Sequence, residues 1–208
     1  MAPHRTCPTV LGLFLLMTVI MSGVTGCNIT EERVEPDYDL RGADVFVVPF
    51  KHGYDWHYES KTGNRLGQTL EVALANDCGG LKTIRNKPIQ GEIRTDLSDK
   101  IDWLSYGQRV GCQYLIVGEI DKITYENPRL VGMLQGYLTG RYEVWDMKEG
   151  RRTYTRQLQV RFPGDPDSGE VFISFEQSRT EIENALLATT AKEIAKHLCG
   201  YVRDKGPR

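Results

Sequence analysis

Cysteine and histidine are scarce in this sequence, and neither occurs at a spacing that binds a metal. The 208 residues include 5 cysteines and 4 histidines, without a Cys-x-x-Cys pair or a Cys/His cluster of the zinc-binding kind. No glycine-rich phosphate loop follows a predicted strand, and no serine stands in the context of a nucleophile elbow. The sequence therefore predicts no metal site, no cofactor and no catalytic residue, and hence a protein that is not an enzyme.

The chain also lacks an excess of positive charge and a long apolar run. The formal net charge is −2, so the basic excess typical of nucleic-acid-binding proteins is missing and we expect no nucleic-acid partner. The one strongly apolar run, residues 10–24, is interrupted by Gly12 and Gly23. It is shorter than the roughly 20 residues of a membrane-spanning helix. A basic start at Arg5, a short apolar middle and a small-residue exit are the three parts of a secretory signal.

The small residues at the end of this run lead directly to a cysteine. Val24-Thr25-Gly26-Cys27 resembles the bacterial lipobox, in which the thiol accepts a diacylglycerol and the signal is cut just before it. A single acyl chain binds a membrane weakly and reversibly, whereas several acyl chains on one residue anchor a protein stably. We therefore predict that residues 1–26 are removed and that Cys27 is the lipidation site, through which the protein is anchored to a membrane. Asn28 favours the outer membrane, facing the periplasm, because an aspartate there would favour retention in the inner membrane of enterobacteria.

Three cysteines remain once Cys7 leaves with the signal and Cys27 carries the lipid: Cys78, Cys112 and Cys199. An odd number in an exported protein is compatible with one disulfide and one free thiol. All three have apolar or small neighbours, so three buried thiols are equally compatible with the pattern. The sequence leaves this choice open.

The domain organisation follows from composition. Residues 27–42 hold the acylated cysteine and a polar, acidic stretch with Pro36, which predicts a tether of at most about 50 Å when fully extended. Residues 43–203 have the length and periodicity of a single α/β domain, and residues 204–208 form a tail.

The hydrophobic pattern predicts strands and helices in alternation, followed by a meander. Apolar and alternating stretches predict strands at 43–50, 81–84, 112–123, 133–146 and 152–162, the last two joined as a hairpin. Helical periodicity predicts helices over about 61–77, from an N-cap at Ser98 to Gly111, and over about 178–202. The order β-α-β-α-β-β-β-α predicts an α/β fold with a single mixed sheet that includes a β-meander and is packed by helices. In that fold Val45–Val48 and Tyr114–Val117 form the core sheet, covered by the helices that carry Leu70 and Leu198.

Residues 51–60, KHGYDWHYES, predict a polar loop rich in aromatic side chains. Tyr54, Trp56 and Tyr58 are candidate partner contacts, because exposed aromatic residues supply much of the binding energy of protein interfaces. The alternative, in which these rings pack against the protein's own core, stays open. Asp55, His57 and Glu59, with His52, do not predict a metal site, because a closed site usually draws its ligands from separate elements.

Four segments of the chain have a layout that is known from one group of bacterial lipoproteins: VFVVPF at 45–50, ALANDCGGLKTI at 73–84, GQRVGCQYLIVGEI at 107–120 and ALLATTAKEIAKHL at 185–198. With the lipobox ahead of them, they resemble the curli-secretion lipoprotein and penicillin-binding-protein-activator superfamily. The segment Gly107–Gly118, which leads a helix into a central strand, is the most specific part. The resemblance implies an α/β domain without catalytic residues that works through contacts with other envelope proteins. The resemblance is also compatible with a homo-oligomer.

These observations predict a membrane-anchored envelope lipoprotein that acts as a non-catalytic assembly, secretion-accessory or scaffold protein for an unidentified client. The alternatives are a periplasmic activator of a cell-wall synthase, a small-ligand-binding lipoprotein and an enzyme. We expect the 133–162 hairpin to pack in the domain rather than in lipid. Arg156 lies on the same side as Tyr154 and Leu158, and an arginine at mid-depth in a bilayer would cost about 2–4 kcal/mol.

Overall fold

The computed structural model describes residues 31–52, 60–84, 101–126, 134–164 and 178–204. Within these ranges the chain forms three helices and eight strands, and the predicted α/β fold class is confirmed. In chain order the elements are β1 (Glu31–Val34), β2 (Asp44–Val47), β3 (Lys51–His52), α1 (Lys61–Asp77), β4 (Lys82–Thr83), α2 (Trp103–Val110), β5 (Tyr114–Glu126), β6 (Gln135–Asp146), β7 (Arg151–Phe162), α3 (Arg179–Cys199) and β8 (Tyr201–Asp204).

The main sheet is mixed, as predicted, and its strand order is β4-β2-β5-β6-β7, with β3 also paired to β5. Strand β2 runs parallel to β4 and to β5, and the pair Val47 and Ile116 sets the register with β5. Strands β5, β6 and β7 form the antiparallel meander, in which Ile116 lies opposite Val144. This sheet and the three helices belong to one compact unit, Val34–Tyr201. Strands β1 and β8 pair with each other in a separate two-stranded sheet.

Successive side chains of β2 and β5 point to opposite faces of the sheet, and this divides the core into two layers. Val45, Val47 and Ile116 lie in one layer with Leu70 of α1 and Leu198 of α3. The neighbouring residues point to the other face and pack with α2, in a smaller cluster of Phe46, Val48, Tyr106, Cys112, Leu115 and Val117. The predicted core strands and the two helices that cover them are therefore confirmed, and the hairpin packs in the same core through Leu138, Tyr142, Val144 and Leu158.

The helix before β5 starts later than the sequence predicted. Ser98 lies outside the described residues, but residues 101 and 102 are not helical, so the predicted single helix from Ser98 to Gly111 is wrong. Asp102 is the N-cap: its carboxylate accepts hydrogen bonds from the backbone N–H groups of Leu104, at 3.2 Å, and Ser105, at 3.1 Å. The carboxylate thereby satisfies donors that the first turn leaves unpaired. The predicted end at Gly111 is confirmed, with a left-handed φ of 77°.

The last helix ends earlier than predicted. It begins at Arg179, with Ser178 and Glu181 forming a capping box, and it ends at Cys199, so the predicted continuation to Val202 is wrong. Gly200 has a φ of +73°, and a Cβ there would lie 2.5 Å from the carbonyl oxygen of Val34. The chain therefore leaves the helix at a position that only glycine fits, and Tyr201 and Val202 continue as strand β8.

The predicted tether is largely folded. Residues 34–42, here called the strap, belong to the same compact unit as the sheet, although the sequence predicted that the domain starts at residue 43. Leu40 is completely buried, and its N–H donates to the carbonyl oxygen of Leu198 at 3.0 Å. The apolar side chain within an acidic stretch explains the error, since its burial offsets the cost of ordering the strap. Lys51 and His52, predicted as loop, form the short strand β3.

The structure resolves the open question of the cysteines. Cys78, at the end of α1, forms a disulfide with Cys199, the last residue of α3; their Cα atoms are 5.0 Å apart and 121 residues separate them in sequence. Cys112 is the buried free cysteine of the described residues. Burial raises the pKa of its thiol to about 11, so the thiol stays protonated and is a poor nucleophile near neutral pH.

No helix in the described part of the chain combines the length and the apolar character needed to cross a membrane.

Candidate partner-binding site

Most of the sequence-predicted site residues lie outside the described ranges. Cys27 precedes residue 31, and Tyr54, Trp56 and Tyr58 fall between residues 52 and 60, as do Asp55, His57 and Glu59. His52 is described and lies half-buried in β3. Across the described ranges, no group of three or more histidine, cysteine, aspartate or glutamate side chains is placed to hold a metal ion. The aromatic loop, residues 53–59, therefore has to be approached from the elements at its two ends.

The element before the aromatic loop is held by Phe50. Strand β3 pairs with β5 at Glu119 and Ile120, and Phe50 just before it is completely buried. A Cβ on Gly118 of β5 would lie 2.0 Å from the Phe50 ring, and one on Gly63 of α1 would lie 1.7 Å from the Phe50 carbonyl oxygen. Gly118 thus makes room for the Phe50 ring and Gly63 for the Phe50 backbone carbonyl, so Phe50 is held between strand and helix.

The element after the aromatic loop is equally well defined. Ser60 is the N-cap of α1, and its hydroxyl oxygen accepts a hydrogen bond from the Gly63 N–H at 2.8 Å. The N–H of Phe50 donates to the carbonyl oxygen of Gly63 at 3.2 Å, which ties the two ends of the loop together. Residues 53–59 are therefore attached at both ends to well-packed elements, as binding loops on rigid scaffolds are.

A polar cluster lies beside the start of α1. The carboxylate of Glu183 on α3 accepts hydrogen bonds from Thr62 at 3.3 Å, from Arg65 at 3.0 Å and from the Tyr125 hydroxyl at 3.1 Å. The Arg179 guanidinium lies 4.4 Å from the centre of the Tyr125 ring. Burial, and then the negative charge of Glu183, raises the pKa of Tyr125, so the phenol remains a hydrogen-bond donor. The cluster connects α1, β5 and α3 close to the point where the aromatic loop rejoins the domain.

Sequence reasoning missed this cluster because its members are far apart in the chain. Arg65 and Glu183 are separated by 118 positions, and neither stands in a motif. The charges by themselves look like ordinary solvated helix positions, since Glu183 and Arg65 keep 22% and 39% of their side chains exposed. Only the packing of α1 against α3 brings them together.

The strap is held by a second polar cluster. The Asp37 carboxylate accepts a hydrogen bond from the Arg156 guanidinium of β7, and it lies 2.9 Å from Nδ1 of His197 on α3. The Tyr38 hydroxyl accepts a hydrogen bond from Thr153 at 2.9 Å, and the Tyr38 ring lies 5.6 Å from the Tyr154 ring. Arg156, which the sequence placed on the apolar side of the hairpin, is thus compensated by a carboxylate from the strap.

Comparisons with known proteins found matches among solved structures and none among family models or curated sequences. No protein-family model matches the chain, and no curated protein sequence matches it. Among solved structures, the PelC dodecamer from Paraburkholderia phytofirmans is 12% identical, with 78% of this chain and 95% of that chain covered at a TM-score of 0.45. Lipoprotein GNA1162 from Neisseria meningitidis is 11% identical, with 74% and 99% covered at a TM-score of 0.40.

The LpoB C-terminal domain from Salmonella enterica is 13% identical, with 70% of this chain and 93% of that chain covered at a TM-score of 0.37. Bacterial lipoproteins thus recur among the similar structures, as the resemblance of the sequence predicted. The identities of 11–13% and the TM-scores below 0.5 limit these similarities to the fold.

Proposed function

We propose that this protein is a non-catalytic lipoprotein of the bacterial cell envelope, anchored through Cys27, which binds another envelope protein through its aromatic loop. The anchor holds it at the outer membrane, facing the periplasm, where it serves the assembly, secretion or scaffolding of its client. Turnover of an envelope substrate by the purified protein, lost on replacing one polar residue, would refute the non-catalytic part of this proposal.

The observation that carries the proposal is the Cys78–Cys199 disulfide. Disulfides form and persist in oxidising compartments, which include the bacterial periplasm. The lipobox at Val24–Cys27 supports export through a different part of the chain and a different chemistry. Two independent features therefore favour the same side of the cytoplasmic membrane.

The aromatic loop is the preferred contact surface because of how it is attached. Phe50 and Ser60 hold its ends, so binding would cost no conformational entropy for ordering the elements on either side of it. Tyr54, Trp56 and Tyr58 lie within seven consecutive positions, and tyrosine and tryptophan are enriched among residues that dominate interface energies.

The short reach of the anchor favours a client close to the membrane. With the strap folded into the domain, residues 28–33 alone separate Cys27 from the compact unit, and they span at most about 20 Å. This favours a membrane-proximal assembly partner over a cell-wall synthase that must be reached across the periplasm.

Replacing Trp56 by alanine is expected to reduce recovery of the client about tenfold or more, since a central aromatic anchor contributes 2 kcal/mol or more to binding. The measurement is chemical crosslinking in intact envelopes, followed by affinity purification and quantitative mass spectrometry. The matched control is Tyr201→Ala, which removes an aromatic side chain that is 39% exposed, from strand β8. Undiminished recovery together with a lower melting temperature would instead show that Trp56 packs against the core of the protein.

Replacing Cys27 by alanine is expected to abolish lipid attachment, because the thiol is the group that is alkylated. Metabolic labelling with an alkyne analogue of palmitate should mark the wild type and the Cys112→Ala control, and leave the Cys27→Ala variant unlabelled. Mass spectrometry of the wild type should find Cys27 as the modified first residue. An unmodified N-terminus would contradict the prediction.

A further inference from the structure

The strap is hydrogen-bonded on both sides of the disulfide. The N–H of Leu40 donates to the carbonyl oxygen of Leu198, the residue just before the disulfide cysteine of α3, at 3.0 Å. The N–H of Gly42 donates to the carbonyl oxygen of Gly79, the residue just after the disulfide cysteine of α1, at 3.1 Å. Two strap residues that are two positions apart therefore bond to the ends of two different helices.

The disulfide fixes the distance between these two helix ends. It joins the end of α1 to the end of α3, with the two Cα atoms 5.0 Å apart. A strap that bonds to both ends requires them to lie at one separation, and without the covalent link it would have to hold them there at a cost in entropy. Docking of the strap and closure of the disulfide therefore favour each other, and by linkage each strengthens the other to the same extent.

Other contacts of the strap also depend on the end of α3. The N–H of Tyr38 donates to the carbonyl oxygen of His197 at 3.1 Å, and the Asp37 carboxylate lies 2.9 Å from Nδ1 of the same histidine. This carbonyl belongs to the last turn of α3, where it has no partner within the helix. Leu40 is completely buried in the same hydrophobic cluster as both disulfide cysteines. A change in the position of this helix end would thus weaken several strap contacts at once.

The strand before the strap is held by the same end of the domain. Strands β1 and β8 form a two-stranded sheet of their own, and such a sheet is marginally stable by itself. Gly200 connects α3 to β8, and a Cβ there would lie 2.5 Å from the carbonyl oxygen of Val34. Because the strap and α3 bring the two strands together, release of the strap also frees β1.

We propose that the Cys78–Cys199 disulfide controls how far the domain can stand from its lipid anchor, by keeping the strap docked. With the disulfide closed, residues 28–33 span at most about 20 Å. With both cysteines as thiols, the strap is released, and residues 28–42 span at most about 50 Å. This reach rests on the anchor proposed at Cys27, whereas release of the strap is measurable whether or not a lipid is attached.

The disulfide closes by thiol–disulfide exchange with an oxidised dithiol protein of the envelope. One cysteine thiolate attacks the disulfide of that protein and forms a mixed disulfide, and the second thiolate then displaces the dithiol protein. Two electrons pass from the two cysteines to the dithiol protein, whose sulfurs take up the two protons that the cysteines lose. A newly exported chain therefore has a long connection to its anchor, and oxidation draws the domain towards the membrane.

Release of the strap is measured by hydrogen–deuterium exchange of the mature lipoprotein in detergent micelles, before and after dithiothreitol. The N–H groups of Tyr38, Leu40 and Gly42 report docking, and those of β5, at the centre of the sheet, report the fold. We expect dithiothreitol to speed exchange of the strap at least about fivefold, the low end of the coupling between linked sites, while β5 stays protected. The double change Cys78→Ala and Cys199→Ala should give the fast rate with or without dithiothreitol.

Linkage predicts the reverse effect as well. The change Leu40→Ala weakens docking of the strap, so its disulfide should be reduced at a ratio of reduced to oxidised dithiothreitol at least about fivefold lower than in the wild type. Leu66→Ala makes the same truncation at a completely buried position in the first half of α1, and it should leave that ratio unchanged. Unchanged strap exchange on reduction, loss of protection in the strap and β5 together, or equal shifts for the two variants would each overturn the proposal.

The reach itself is measured by neutron reflectometry of the lipoprotein in a supported bilayer. Reduction should move the domain about 10 Å further from the membrane, as expected when a flexible connection lengthens from 6 to about 15 residues. An unchanged distance despite a released strap would refute control of the reach by the disulfide. A protein that does not associate with the bilayer would refute the anchor instead, and the exchange experiment would still decide whether the disulfide holds the strap.

Discussion

Removing the disulfide by the double change Cys78→Ala and Cys199→Ala is expected to lower the free energy of unfolding by about 4 kcal/mol. The bond closes a loop across 121 residues, and a cross-link of that span strongly restricts the unfolded chain. Both side chains are buried, at 1% and 4% exposure, so alanine is preferred to serine, whose hydroxyl would lose its hydrogen bonds to water. Urea unfolding of a form that begins at Asn28 measures the change.

The control for this prediction is Cys112→Ala, which removes a thiol of similar burial without removing a cross-link. A reductant should lower the unfolding midpoint of the wild type and of the control, and it should leave the double variant unchanged. In that form, thiol titration under denaturing conditions should detect one thiol group without reductant and three with it, since Cys78, Cys112 and Cys199 are the three cysteines after residue 27. A wild-type midpoint that does not respond to reductant would refute the pairing.

The change Ile116→Asp is expected to destabilise the domain by about 4 kcal/mol or more, which for a marginally stable domain means loss of folding. Ile116 is completely buried in the central strand, between Val47 of β2 and Val144 of β6, and α1 and α3 cover that face. A carboxylate at this position would be removed from water without a partner. Circular dichroism and thermal unfolding measure the loss.

Two other substitutions distinguish the cost of burying a charge from the cost of changing the side chain at position 116 and of adding a carboxylate elsewhere. Ile116→Val shortens the same side chain and should cost about 1 kcal/mol. Val72→Asp introduces the same carboxylate on α1 at a position that is 52% exposed, and it should change stability by about 0.5 kcal/mol or less. An Ile116→Asp variant with an unchanged, cooperative melting curve would contradict the placement of β5 at the centre of the core.

The elements that the sequence predicted well are those with a strong local period. The helical spacing of Leu66, Leu70 and Leu74, with Gly79-Gly80 after them, predicts helix α1 at about residues 61–77, where the structure has it. The hairpin of β6 and β7 was predicted from alternation and from its turn, since side chains of a half-buried strand point to the two faces in turn. In each case the residues that define the element are neighbours in sequence.

The errors fall where a distant segment overrides the local pattern. Tyr201 continues the apolar spacing of α3, yet the helix stops because Gly200 must pass close to Val34 at the other end of the chain. The strap looks like a solvated tether, yet Leu40 completes the core next to Leu198. Ser98 has a good capping side chain, but the carboxylate of Asp102 caps the helix.

The sequence by itself determined the α/β class and the order of the principal elements, because each follows from adjacent residues or from a local period. It also predicts the export signal and the lipid acceptor Cys27 from adjacent residues. The tertiary structure alone decided that Cys78 pairs with Cys199, that Glu183 joins α1 to β5, and that Arg156 of β7 pairs with Asp37 of the strap. These contacts join residues 58 to 121 positions apart. These contacts form because the helices and the sheet pack together, and the local hydrophobic pattern of the sequence does not show how they pack.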